Sequence, residues 1–233
     1  MKKMIILFCA LIMGTSAFGD IIYVENNVNM DNFWEKTGRS EQKVTDVGYK
    51  IMDANSLKRS PIHIFRMQNL LNAWAVHPSK DIYISLNFLN YIENDDELAA
   101  ILSHEIAHSQ EYYKGFLKIA AMNMNKKNYE FKADLYAIDY MVKAGYNPIA
   151  AITVINKIAG EPLWDWGFTS THPKGSRRLL AMYKYIYLKY PQYLNSSMTK
   201  KSTYQTFLKD QEFEIKKFEA EQNKRKINQN EDI

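Results

Sequence analysis

Two histidines four residues apart, with a glutamate directly after the first, stand in the segment Glu97-Leu-Ala-Ala-Ile-Leu-Ser-His104-Glu105-Ile-Ala-His108. On an α-helix a four-residue step turns about 40° and climbs one turn, so His104 and His108 leave one face and can share a metal ion. Zinc suits neutral imidazole, and in catalytic sites it takes three protein ligands and leaves a position for water. Glu105 lies about 100° further round the helix. From there its carboxylate reaches a metal-bound water rather than the metal, which is the arrangement of two ligand histidines and a glutamate general base. As ordinary residues on so apolar a helix, the two imidazoles would each need a buried polar partner.

A third ligand is required, and His172, Glu111, Glu130 and Asp134 are the candidates. Glu111 follows His108 on the same helix, where its reach favours solvent. Glu130 and Asp134 are four apart on a second predicted helix and so face the same way. Such a pair supplies a carboxylate ligand and, one turn on, a carboxylate for the distal N–H of a ligand histidine. Alone, the pair would read as a solvated acidic face. His63 and His77 have no partner at metal spacing and read as surface residues. Trp164, Asp165 and Trp166 serve equally well as a packed loop or as an aromatic wall beside His172.

These residues need elements to hold them. Val44, Val47, Ile51 and Ala54 recur at helical spacing within 31–55. Three short segments, 62–67, 72–76 and 81–85, read as strands, with His77-Pro78-Ser79-Lys80 as a turn. Their close succession predicts a small antiparallel sheet. Asn94, with Glu97 three residues on, caps a helix from about Asp95. Further helices are expected over 128–144, 148–158 and 175–190. If the catalytic helix ran straight to Met122, its end would lie about 21 Å past His108, beyond the reach of Glu130. It should therefore end near Gly115, with residues 116–127 forming a crossover. The fold class is α+β: a mostly helical body with a small antiparallel sheet beside the active-site helix.

Taken together, Asn72-Ala-Trp, His104-Glu-Ile-Ala-His108, Glu130-Phe-Lys-Ala-Asp134 and Thr171-His172-Pro173 through Arg178 resemble one zincin family in type and order. It is the gluzincin family that includes HtpX-like heat-shock proteases, the CAAX prenyl proteases and soluble periplasmic proteases. The resemblance spans about 60–190. It implies zinc, one ion per chain, held by His104, His108 and Glu130, with Glu105 as catalytic base. It also implies that Asp134 orients a ligand histidine, that His172 stabilises the transition state with Arg178 as companion, and that Asn72 and Ala73 on an edge strand hold the substrate backbone. The family's membrane helices, and the repeat domain some members append, have no counterpart in the sequence. Only the hydrolytic core is therefore implied, not a role in CAAX processing or membrane quality control.

The remainder sets the context. With 46% hydrophobic and 24% charged residues, the 233-residue chain has an ordinary globular balance, enough for one good-sized core. No basic stripe interleaves with aromatics, so nucleic acid is not an expected partner. Lys2 and Lys3, the apolar run 4–13, and small residues at Ala17 and Gly19 read as a signal peptide cleaved after Gly19. The formal charge then falls from +4 to +2. Cys9, the one cysteine, leaves with that segment, which suits an exported, most simply periplasmic, protein without disulfides. No transmembrane segment is expected in the mature chain. The expected division is 1–19 signal peptide, 20–200 metallopeptidase domain and 201–233 charged C-terminal helix with a frayed end. In that helix Tyr204, Leu208, Ile215 and Phe218 form a thin seam interrupted by Gln211, which would dock on the chain's own body or on a partner. The expected partner of the site is an extended polypeptide. The rival expectation is a catalytically idle, chaperone-like module that keeps zinc, against which Glu105 and the three-ligand count argue.

Overall fold

The computed structural model describes residues 30–65, 72–115, 125–158 and 175–231. Helix α1 (Met30–Thr37) and helix α2 (Glu41–Ala54) occupy the stretch expected to form one early helix. They are separate because Gly38 takes a left-handed conformation at φ +61. The chain is then recapped by Ser40, whose hydroxyl accepts the Lys43 N–H at 3.1 Å. Val44, Val47 and Ile51 are buried as their spacing predicts. Gly48 lies among them, and a Cβ there would stand 2.1 Å from Ile62 Cδ1, so the missing side chain is what lets α2 lie close on the sheet.

The sheet has strands β1 (Ile62–Phe65), β2 (Ala73–Ala75) and β3 (Ile82–Ser85) in the order β1-β3-β2. It is mixed rather than wholly antiparallel: β3 runs antiparallel to β2 but parallel to β1. The reason is burial. Ile82 and Ile84 are wholly buried, so β3 takes the centre, and β1 and β2 flank it without pairing to each other. Met67, expected to extend the first strand, lies outside the described residues. The turn at 77–80 forms as expected. Helix α3 (Leu86–Tyr91), not anticipated, follows β3 directly, with the Ser85 hydroxyl accepting the Phe88 N–H at 3.3 Å.

Helix α4 (Asp95–Tyr112) is the axis of the molecule. Asn94 Oδ1 accepts the Glu97 N–H at 3.0 Å, the cap the sequence predicts. The helix stops just short of Gly115 at φ +91, which keeps the return path short. Helix α5 (Lys126–Lys143) packs back along α4 and brings Glu130 and Asp134 to it. The crossover itself lies largely outside the described residues. Helices α2 and α6 (Ile149–Ile158) and strand β2 complete the surroundings of α4, and α7 (Gly175–Lys189) covers α5 and α6. Among the described residues no helix is long and apolar enough to cross a membrane.

Two short 3-10 turns (Pro191–Asn195 and Ser197–Lys200) lead to helix α8 (Ser202–Asp210) and helix α9 (Glu212–Glu231). Tyr204, Phe207, Ile215 and Phe218 are buried, with α8 on α6 and α9 on α7. The tail thus docks on its own body, and no surface for a separate docking partner is evident in that seam. Helix α9 continues to Glu231 through a polar stretch of Glu, Gln, Lys, Arg and Asn.

Candidate metal centre

The site is built where α4 and α5 cross. His104 and His108 sit one turn apart on α4, and their Nε2 atoms approach to 3.1 Å. From α5 the Glu130 carboxylate lies 3.4 Å from His104 Nε2 and 3.2 Å from His108 Nε2. One donor atom from each residue falls within 4.8 Å of the others, and all three side chains are buried. Two ring nitrogens and a carboxylate oxygen aimed at one small volume fit a divalent cation, and two imidazoles with one carboxylate suit zinc. The cluster's own electrostatics say the same. Burial alone would lower the His104 imidazole, but its hydrogen bonds to Asp134 and Glu130 override that and push it up to about 10. The cage is therefore a place that favours positive charge.

Behind the cage, His104 Nδ1 lies 3.0 Å from Asp134 Oδ1. Asp134 is gripped in turn by Arg178 of α7, whose Nε donates to Oδ2 at 2.7 Å and whose Nη2 donates to Oδ1 at 2.6 Å. Burial would raise the Asp134 carboxyl, yet Arg178 and His104 outweigh it and hold the group below the usual carboxylate range. Arg178 is 2% exposed, and its Nη1 also comes within 3.8 Å of Glu130 Oε2. A forked guanidinium on a carboxylate fixes direction as well as charge. A chain of polar contacts therefore runs from α7 through α5 to the face of α4.

Glu105 is 2% exposed on helix α4, which packs against strand β2, and the Ala75 backbone nearby slightly favours its charged form. Burial pushes its carboxyl up, with His104 and His108 opposing. Sequence reasoning missed Tyr112, one turn beyond His108 on α4. Burial, then the charges of Glu105 and Glu130, push its phenol up to about 12. Its four-residue spacing from His108 was the available signal. Glu111, expected in solvent, is buried yet stands outside the cage.

Of the remaining predicted site residues, Asn72 flanks β2, where its C=O accepts the Ser85 N–H at 2.9 Å, and Ala73 begins the strand. Arg178, expected as companion of His172, is seen on Asp134. His172 and the residues 164–166 lie outside the described residues. His63 and His77 are exposed as predicted, His63 near Asp81 at 3.6 Å and His77 edge-on to Tyr112.

A helix offering two histidines and a buried glutamate, crossed by a helix offering an acidic third ligand, defines a zincin-type metallopeptidase site. Residues 39–115 and 110–186 match the sequence profile of peptidase family M48, and with more than half of its length covered the chain belongs to that family of zinc metallopeptidases. It is also similar to the mitochondrial metalloendopeptidase OMA1 of Arabidopsis thaliana, 21% identical over 195 residues, covering 71% of this chain. The chain spans 39% of the length of that relative.

Proposed function

We propose that the chain is a zinc-dependent endopeptidase of the cell envelope that cleaves peptide bonds in extended or unfolded polypeptides, with one zinc held by His104, His108 and Glu130. The observation that carries the reading is the position of Glu105, buried directly beside His104 on the helix that packs against the edge strand β2. A base so placed stands beside any backbone laid along β2, and extended chains dock on exposed strand edges.

Zinc, when bound, lowers the pKa of water and polarises a carbonyl oxygen. Glu105 takes the proton of the attacking water and passes it to the amine that leaves. His104 is held in the ligand tautomer by Asp134, and Arg178 is the positioning residue that fixes Asp134. Asn72 and Ala73 align the substrate backbone. His172 stabilises the developing oxyanion, a role drawn from the family resemblance alone. Residues 1–19 direct export and are removed.

The test is digestion of casein, an unfolded substrate, and of a compact folded protein by purified enzyme, before and after chelation and after zinc is returned. Casein cleavage that disappears with the metal and returns with one equivalent per chain is expected. Zinc retained at one equivalent with no cleavage of either protein would favour the idle, chaperone-like alternative. N-terminal sequencing of the envelope fraction should read from Asp20, whereas intact Met1 in the cytosol would exclude export.

A further inference from the structure

The outer face of the sheet carries a row of rings leading to the substrate edge. Along each strand alternate side chains point to opposite faces. Ile62, Ile64, Ala73, Ile82 and Ile84 face the core, so His63, Phe65, Trp74 and Tyr83 share the other face. His63, Tyr83 and Trp74 also share one cross-strand register. His63 stacks on Tyr83 with centroids 4.9 Å apart, and Tyr83 stacks on Trp74 at 5.5 Å with planes 13° apart. Phe65 meets Trp74 edge-on at 5.4 Å. The stack ends at Trp74, on the edge strand β2. Among the described residues no further ring covers the indole face turned away from Tyr83.

The hydrogen-bond phase of β2 says what that face would meet. Val76 N–H donates to Asp81 C=O at 2.8 Å, and Ser85 N–H donates to Asn72 C=O at 2.9 Å. In an antiparallel ladder such pairs alternate, so Trp74 also turns its peptide groups toward β3, and Ala73 and Ala75 turn theirs to the open edge. A strand added to that edge would bond to Ala73 and Ala75, leaving its residue opposite Trp74 in a non-hydrogen-bonded pair. In such pairs the side chains approach most closely, and aromatic pairs gain most from it. The residue opposite Ala75 lies nearest Glu105, so the residue opposite Trp74 is its immediate neighbour in the substrate.

We infer that Trp74, backed by Tyr83, forms a side-chain subsite that selects a large apolar or aromatic residue next to the cleavage point, so that the substrate's ring becomes the fourth of the row. The inference rests on the proposed peptidase activity and on docking along β2, and it deepens that reading by naming a substrate class: polypeptides with exposed aromatic or large aliphatic residues, as unfolded chains present.

The test has two stages with the full chain loaded with zinc. Mass spectrometry of casein fragments should show one position within two residues of the cut enriched in Phe, Tyr, Trp, Leu or Met. Two quenched-fluorescence peptides, differing only by Phe or Ala at that position, then give kcat/KM ratios. The wild type should prefer Phe by about tenfold or more, the discrimination an apolar pocket commonly reaches. Trp74→Phe should keep most of that ratio, and Trp74→Ala should bring it near one, chiefly through KM, with zinc content and melting temperature recorded for each. Equal losses on both peptides in Trp74→Ala would show a merely structural residue and overturn the subsite. A wild type that cuts casein without positional preference would overturn it too, while sparing the peptidase reading. A wild type that cuts nothing overturns both.

Discussion

Arg178 shows how much of the site hangs on one buried side chain. Its guanidinium and the Asp134 carboxylate are 2% and 1% exposed, and removing one partner leaves a charge buried with too few bonds. Breaking such a pair costs roughly 3–5 kcal/mol. Arg178→Ala should therefore lower stability by about that amount in urea unfolding, and weaken zinc about 10–100-fold in a competition titration, as losses behind a metal ligand do. Unchanged zinc affinity would detach Arg178 from the metal centre. Glu130→Ala should abolish stoichiometric zinc. If zinc remains, the third ligand is another residue and His172 is the first to examine. The cage was legible in the sequence because a four-residue step on a helix fixes direction without any knowledge of the fold. The Arg178–Asp134 bond was not legible, since it joins two helices whose packing no local spacing encodes. The family resemblance makes Arg178 the companion of His172, which lies outside the described residues, and its hydrogen bonds to Asp134 put it behind His104.

Among the elements, α4 is secured at its N-terminal end. At its first turn the buried Glu97 accepts Lys157 of α6 at 2.6 Å and Lys201, just before α8, at 3.0 Å. The C-terminal segment is therefore fastened to the catalytic helix by charge and to α6 by packing. The seam predicted from spacing named Leu208, which is partly buried against the core, but missed Phe207, which is fully buried; the helix breaks at Gln211, so the heptad phase does not run through. A period can be read only while one helix lasts. Phe207→Ala should cost about 3–5 kcal/mol, the range for emptying a core aromatic site, measured by thermal or urea unfolding. Deletion from residue 202 onward should destabilise the body in the same assay. A truncated enzyme of unchanged stability and higher activity on casein would contradict this and make the tail a cover of the cleft.

At the scale of the molecule, helices pack on one face of a small sheet, and among the described residues the β2 edge is unpaired and lies by the catalytic helix. The α+β class was legible from periodicity. The strand order was not: alternation marks a strand but not its neighbour, and β3 takes the centre because it buries most. The cage binds the folded chain and not the unfolded one, so zinc at about a thousand times its dissociation constant should add roughly 4 kcal/mol of stability. Chelation should lower the melting temperature accordingly, and an unshifted melt would argue against a metal bound at the α4–α5 crossing. The central claim is that Glu105 is the base of a zinc peptidase. It is tested most directly by measuring bound zinc and casein cleavage side by side for wild type and Glu105→Gln. Both proteins should carry one zinc, and the variant should lose cleavage by about 100- to 10,000-fold, the contribution of a positioned general base. A zinc-loaded Glu105→Gln enzyme that cleaves at the wild-type rate would contradict the account.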